Sequence, residues 1–329
     1  MLSQKEKVDL LSKSSTYPHE VVSKIQVIET NISWVFLTGN YVYKMKKKIK
    51  FGEILDFSTL QKRKEACNNE IKFNKRLAPS LYITTVELNE NLKIDGKGLP
   101  LEYLVKMHQL KQEDLLFEIV KRGEILEDSL IIKLATTIFE FHKKNIISPT
   151  FSVYEAIYEK WDENFRTTHD YPNFPFDLTL EKRVYSYLNE NRDYFEQRGL
   201  DEKIVDGHGD LILANMFKVG DNVIIFDCIE FNELLRVQDV FEEICFLAMD
   251  LDFHGLKKES DLLISTYLKL SDENLPPDAP ILNFYKSYRA YVRAKVYFSQ
   301  SLQEQDMNTK SEIESLAVKY MQLASSYRF

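Results

Sequence analysis

The chain is poor in the residues that build cross-links, metal cages and glycine-rich loops. Its 329 residues include three cysteines, Cys67, Cys228 and Cys245. They form no C-x-x-C pair and no zinc spacing, which argues against a zinc module or a redox motif, so they are expected as reduced thiols. Six histidines are scattered along the chain, whereas a two-metal hydrolase gathers several His and Asp around its ions. No G-x-x-x-x-G-K-[ST] occurs, so a P-loop domain is not expected. No apolar run reaches the roughly 18 residues of a membrane span. Met1-Leu2-Ser3-Gln4-Lys5-Glu6-Lys7 lacks the apolar core of a signal peptide, and a cytoplasmic protein without membrane attachment is expected. The net charge of −8 argues against nonspecific nucleic-acid binding, which needs a basic face. One local basic run, Lys44 to Lys50, is the exception. Hydrophobic residues at 44% and charged residues at 29% fit a globular chain with a sizeable core.

The stretch richest in chemistry is Val205-Asp206-Gly207-His208-Gly209-Asp210-Leu211-Ile212-Leu213-Ala214-Asn215, followed by Val223-Ile224-Ile225-Phe226-Asp227. A polar loop bearing an Asp and an Asn lies between apolar runs. Gly220-Asp221-Asn222 is a turn, so the chain folds back and brings Asp227 towards Asp210 and Asn215. Two carboxylates and a carboxamide oxygen suit Mg²⁺, which takes few protein oxygens and completes its shell with water and phosphate. The spacing H-x-D-x-x-x-x-N with a later Asp is that of a phosphoryl-transfer loop. Asp210 and His208 are the candidate catalytic residues, with Asp210 as base. Asn215 and Asp227 are the candidate metal ligands. The bland alternative, a polar loop with an incidental Asn, does not explain the hairpin and the second Asp. Cys228, beside Asp227, reads as a buried bystander.

Upstream, residues 3–15 read as a short polar helix. Trp34-Val35-Phe36-Leu37 and Tyr41-Val42-Tyr43 flank Thr38-Gly39-Asn40, a hairpin signature. Lys44 ends the second strand. In phosphoryl transfer a strand Lys contacts the nucleotide phosphates and pairs with a helical Glu. Lys44 is the best placed, with Lys46, Lys47, Lys48 and Lys50 as competitors. The bland reading is a basic strand end that discourages edge pairing. A helix is predicted from Ser58, where Ser58-Thr59-Leu60-Gln61 fits a capping box, to about Leu77, before Pro79. Glu70, on the edge of its apolar face, is the expected partner of Lys44; Glu65 is the alternative. Strands over 82–88, 92–94 and 101–107 complete a β-rich lobe. Lys106 to Gln109 is the expected crossover, where the backbone around Met107 and Gln109 would meet an adenine edge.

Beyond Gln112 the pattern is helical. Asp128 precedes an amphipathic helix closed by His142, read as packed or capping rather than a ligand. Further helices are predicted over 152–166 and 177–198, the second capped by Asp177 and ended by Gly199. Asp239 opens another helix and is expected to hold the catalytic loop by accepting backbone amides. Glu242, Glu243, Asp250 and Asp252 read as a solvated acidic face, with recognition of a cationic or polyhydroxylated substrate as the functional alternative. Arg289 and Arg293 share a helix face, placed to bridge to those acids or touch substrate. The element order predicts an α+β, bilobal protein-kinase-like fold: a nucleotide-binding lobe over 1–106 and a helical catalytic and substrate lobe over 107–329.

His208-Gly209-Asp210-Leu211 with Asn215 resembles the aminoglycoside phosphotransferase branch of the kinase-like fold, rather than protein kinases, which usually have Arg before the Asp. The segments Glu29-Thr30-Asn31-Ile32-Ser33-Trp34-Val35-Phe36-Leu37-Thr38-Gly39, Tyr43-Lys44-Met45-Lys46-Lys47, Leu55-Asp56-Phe57-Ser58-Thr59-Leu60 and Ala248-Met249-Asp250-Leu251-Asp252-Phe253 resemble those of a bacterial group of uncharacterised aminoglycoside-phosphotransferase-like kinases, over about residues 17–300. Members of that group are often fused to a P-loop kinase domain, which is not expected here. The resemblance implies phosphoryl transfer from ATP, or GTP, with Mg²⁺ to a hydroxyl of a small molecule. It implies Asp210 as base, Asn215 and Asp227 as metal ligands, and Lys44 on the phosphates with Glu70 as its partner. Two departures stand out. Ile212 occupies a position where the family usually has a second His, and no G-x-G-x-x-G precedes Lys44, so Glu29 to Ser33 would cover the phosphates through backbone amides. These departures are the only support for the alternative, a nucleotide-binding regulatory module without transfer; phosphoryl transfer is the leading expectation.

Overall fold

A computed structural model describes residues 2–22, 24–52 and 54–329; Met1, Ser23 and Glu53 lie outside the described residues. In chain order the elements are α1 (Gln4–Leu11), β1 (Gln26–Glu29), β2 (Ser33–Leu37), β3 (Tyr41–Lys46), β4 (Lys50–Phe51), β5 (Leu55–Asp56), α2 (Leu60–Asn74), β6 (Tyr82–Asn89), β7 (Pro100–His108) and α3 (Leu116–Lys121). Then come α4 (Asp128–Lys144), α5 (Val153–His169), α6 (Leu178–Glu190), α7 (Arg192–Leu200), β8 (Ile204–Asp206), β9 (Met216–Val219), β10 (Asn222–Ile225) and β11 (Val237–Asp239). The chain closes with α8 (Val240–Phe253), α9 (Lys257–Leu270), α10 (Pro280–Ser301) and α11 (Met307–Ser326). These elements fall into two compact units. One holds Met1–Glu118, Asn215–Val219 and Ile224–Leu235; the other holds Ile119–Ala214, Gly220–Val223 and Arg236–Phe329. Among the described residues no helix is long and apolar enough to cross a membrane.

The first unit is built on an antiparallel sheet in the order β1-β2-β3-β7-β6. Side chains alternate across it. Tyr43 and Met45 join Phe36, Leu88, Leu104 and Leu11 in a core on one face. Val42 joins Leu37, Tyr82, Val105, Met107 and Cys67 of α2 on the other. Lys44 and Lys46 have the parity of Val42, so both turn towards the face that α2 covers. The cap of α2 differs from expectation. Thr59 accepts the Lys62 N–H at 3.2 Å, whereas the Ser58 hydroxyl is drawn away to Asp56 at 2.6 Å. Residues 92–94 form a single bridge, Leu88 to Ile94, and not a strand. β7 runs through His108, so Lys106 and Met107 lie inside a strand and Gln109 is the first residue beyond it.

The second unit is helical. α8 packs against α9 and α10, α10 against α11, and α4 against α9. Trp161, fully buried, sits among Phe165, Phe284, Tyr288 and Tyr291. The helix expected over 177–198 is two helices that meet at Asn191. Asp177 caps the first of them as predicted. Gly199 lies within α7 instead of ending it. A Cβ there would come within 2.8 Å of Val153, so the glycine serves packing. β8 and β11 pair antiparallel, Val237 with Asp206 through Asp239 with Ile204, and frame the start of the His208–Asp210 loop.

Candidate active site

In the first unit, strand parity puts two lysines on either side of one acid. Glu70 of α2 lies 3.1 Å from Lys44 Nζ through Oε1 and pairs with Lys46 Nζ through Oε2. Lys44 reaches Asp227 at 2.5 Å, and Lys46 pairs with Glu230. The result is a row of alternating charge, Asp227–Lys44–Glu70–Lys46–Glu230. Burial by itself would depress both lysines. The Asp227 and Glu70 charges instead lift Lys44 well above its ordinary value, and Glu230 and Glu70 push Lys46 up to about 12. Burial raises the Glu230 carboxyl, a rise that Lys46 opposes. Both lysines therefore stay charged across the physiological range.

Asp227 is the one member of the row with a substantially exposed side chain, 40%. Its backbone is left-handed at φ 63°, a conformation that costs a non-glycine residue and clusters at functional sites. The turn is tied down on both sides. The Asp227 N–H donates to the Tyr82 hydroxyl at 3.2 Å, and the Cys228 N–H to Asn74 Oδ1 at 2.8 Å. Phe226 N–H donates to the Asn215 carbonyl at 3.0 Å, so Asn215 and Asp227 are spatial neighbours within this unit. Together they offer oxygen donors only, a set that fits a magnesium ion completed by phosphate and water. Met107 is buried in the core between the sheet and α2. Gln109 is bound to the β2–β3 turn, its Oε1 accepting from Gly39 at 2.9 Å and its N–H donating to Asn40 at 3.0 Å. Glu65, the alternative to Glu70, is exposed and bonds to Gln61. Lys47 pairs with Glu29, and Lys50 with Asp56.

In the second unit, the His208–Asp210 loop is held by two carboxylates of α8. Glu243 Oε1 accepts the N–H groups of His208 and Gly209, at 2.5 and 2.7 Å. Asp250 Oδ2 accepts the N–H of Leu213 at 2.8 Å. Glu243 Oε2 also takes His142 Nε2 at 2.8 Å, and Tyr267 holds the other nitrogen of that ring. Burial works against the Glu243 charge, but the His142 hydrogen bond and charge and the loop amides win, setting its carboxyl at about 2. For Asp250 burial prevails and raises the carboxyl, despite the Leu213 amide. The loop passes so close to Glu243 that a Cβ on Gly207 would lie 2.0 Å from its Oε2. Gly209 turns the chain at φ 86°, where L side chains are strained. His208 is fully buried, and its Nδ1 accepts the Asp210 N–H at 3.3 Å. Ile212 is buried beside Leu211 and Leu213.

No protein-family model matches the chain. An uncharacterised protein of Mycobacterium tuberculosis strain H37Rv is 30% identical over 313 residues, covering 92% of this chain and 59% of that protein. An uncharacterised protein of Mycobacterium bovis matches to the same extent. The chain thus spans about three-fifths of the length of these relatives. Among solved structures, a choline/ethanolamine kinase family protein from Mesorhizobium loti superposes with a TM-score of 0.55 at 10% identity, over 98% of this chain and 99% of that one. An amicoumacin kinase in complex with AMP-PNP and Ca²⁺ gives 0.54 at 14% identity, over 98% and 96%. A GDP complex of an aminoglycoside 2'-phosphotransferase variant gives 0.54 at 12% identity, over 94% of each chain. The chain has a kinase-like fold.

Within this kinase-like fold two sequence expectations need correction. Asp239 does not hold the loop. It caps α8 through the Phe241 N–H and makes a two-point ion pair with Arg198; Glu243, one turn later, takes the loop amides. Nor do Glu242, Glu243, Asp250 and Asp252 form a solvated face: all four are buried or nearly so and engaged internally. Glu242 meets Lys160 and Arg289, and Asp252 meets Lys286 and Tyr327. Sequence pattern alone did not point to Glu230. It did carry a signal for the loop clamps, because Glu243 and Asp250 are seven apart on a helix whose other residues, Glu242 and Asp252 apart, are apolar, and so share a face. A buried face bearing acids needs donors, and the Gly207–Asp210 loop supplies amides.

Proposed function

We propose that the chain is a phosphotransferase that moves the terminal phosphoryl group of ATP, or of GTP, onto a hydroxyl of a small molecule. The observation that carries this is Lys44, a buried strand lysine held between Glu70 of a helix and Asp227 of a loop. Such a cation is fixed in place before a phosphate arrives. In this reading Lys44 aligns the phosphates and Glu70 aligns Lys44. Asn215 and Asp227 would hold Mg²⁺, which neutralises phosphate charge when bound. The segment around Met107 and Gln109 would border the base, although the Gln109 N–H is already spent on the Asn40 carbonyl. Asp210 accepts the proton of the acceptor hydroxyl as the hydroxyl oxygen bonds to the terminal phosphorus and the bond from that phosphorus to the departing nucleoside diphosphate breaks. His208, being buried, positions the loop and does not touch substrate. A nucleotide lobe over 1–106, an acceptor lobe over 107–329 and a cytoplasmic location belong to the same proposal.

Support comes from the solved neighbours, one named as a kinase with AMP-PNP and Ca²⁺ and one as an aminoglycoside phosphotransferase with GDP. A binding module without transfer has less in its favour, since Lys44, Glu70, Asp210, Asn215 and Asp227 are all present. A thermal-shift titration with ATP and Mg²⁺ tests the proposal. Wild type should gain stability only with both present. Asp227→Ala should lose that gain. Asp210→Ala should keep it while losing turnover. Wild type that gains nothing at millimolar ATP would overturn the proposal.

A further inference from the structure

α10 carries four cations: Lys286, Arg289, Arg293 and Lys295. Three of them meet a carboxylate. Lys286 lies 3.1 Å from Asp252, Arg289 3.0 Å from Glu242 and Lys295 2.8 Å from Glu163. Arg293 differs: among the described residues no carboxylate oxygen lies within ion-pair distance of it. Its Nη2 donates to the Tyr297 hydroxyl at 2.8 Å. Its guanidinium lies over the rings of Tyr297 and Tyr320, at 4.8 and 5.7 Å. Its Nε is buried and, among the described residues, has no hydrogen-bond partner. Two aromatic rings thus fix the guanidinium and leave a buried donor unused, an unfavourable state for a polar group unless a ligand completes it.

Position connects this arginine to the catalytic loop. Tyr320 stacks on Phe253 at 3.7 Å. Phe253 ends α8, one turn after Asp250, and Asp250 accepts the Leu213 N–H of the loop that carries Asp210. Burial would lower the Arg293 guanidinium, but the phenols of Tyr297 and Tyr320 and the charges of Asp210 and Asp250 more than compensate, so it stays cationic. Meanwhile Glu242 and Asp252, the acids best suited by charge to recognise a cationic acceptor, are neutralised by Arg289 and Lys286.

On the phosphotransferase reading above, we propose that Arg293 binds an oxyanion beside Asp210, and that the acceptor is a hydroxyl compound bearing a carboxylate or phosphate group. A guanidinium fork matches such groups in both charge and geometry.

Inorganic phosphate is the probe, titrated calorimetrically into the full chain with either ADP–Mg²⁺ or AMP-PNP–Mg²⁺ already bound. Wild type should bind phosphate saturably in both states. Arg293→Gln should weaken that binding at least tenfold, and Arg293→Lys less. Tyr297→Phe, which keeps Arg293 but frees its fork, should weaken it several-fold and serves if Arg293→Gln fails to fold. Undiminished binding in Arg293→Gln, or no binding to wild type in either state, would overturn the proposal and leave Arg293 as a ring-stacking residue only. Binding with ADP but not with AMP-PNP would also overturn it, because Arg293 would then serve the transferred phosphoryl group. The Mg²⁺–ATP thermal shift is the independent check. If it persists while phosphate fails to bind, only the acceptor class is wrong; if it is absent, the phosphotransferase reading itself fails.

Discussion

In the first unit Asp227, Lys44, Glu70, Lys46 and Glu230 neutralise one another in a row, whereas in the second unit Glu243 and Asp250 are satisfied by backbone N–H groups of a loop. The two solutions differ in what they permit. In a row of side chains an end member is able to exchange partners. On the proposed function, Lys44 trades Asp227 for a phosphate while Glu70 still holds it. A loop clamped through its own amides has no such freedom, because releasing it strands a buried carboxylate and several donors. The proposed nucleotide side is therefore adjustable, and the proposed catalytic loop is fixed before substrate arrives.

The largest expected effect breaks the first arrangement. Lys46→Met leaves Glu70 short of one cation and Glu230 without its partner, both buried. It should cost about 3–5 kcal/mol in urea unfolding, and adding Glu230→Leu should restore part of that loss. If Lys46→Met alone is neutral, the row is not a coupled unit.

The second arrangement is tested by Glu243→Gln, which removes the charge that accepts two loop amides and His142. A loss of about 3 kcal/mol at neutral pH is expected. Acid titration sharpens this. The Glu243 carboxyl lies at about 2 when folded, against an ordinary value of 4.5. Its contribution is therefore complete above about pH 4.5 and fades as pH falls towards 2. Wild type should lose its advantage over Glu243→Gln within that window; parallel stability curves for the two proteins would contradict the assignment.

Gly207→Ala presses a methyl group against Glu243 and should cost about 2 kcal/mol. Turnover should fall further than stability, since the loop must shift to relieve the contact. The smallest effect concerns the α2 cap. Thr59→Ala should cost about 1 kcal/mol and Ser58→Ala less, read from paired thermal melts. The reverse order would restore Ser58 as the cap.

Much of this architecture is legible in the sequence. The β2–β3 hairpin, α4, α5 and the Asp177 cap follow from periodicity and capping chemistry, which act over a few residues. Lys44, Glu70, Asn215 and Asp227 are brought together within the first unit, as strand parity and the β9–β10 turn suggest. Ser58 against Thr59 was not decidable, because both residues cap well and the choice fell to Asp56, which engages the Ser58 hydroxyl. The burial of the α8 acids is hidden from sequence for a related reason. Charge in a sequence suggests solvent unless its partners are known, and those partners, Lys160, Arg289, Lys286, His142 and the loop amides, lie far along the chain.

The sequence by itself determined the elements, the H-x-D-x-x-x-x-N spacing with its later Asp, and the parity that sets Lys44 and Lys46 on one face. These depend on local backbone geometry. Tertiary structure alone decided which carboxylate clamps the loop, which lysine meets Glu230, and which arginine of α10 has no carboxylate within ion-pair distance among the described residues. Each of those depends on contacts between residues distant in sequence, fixed only when burial brings the charges together.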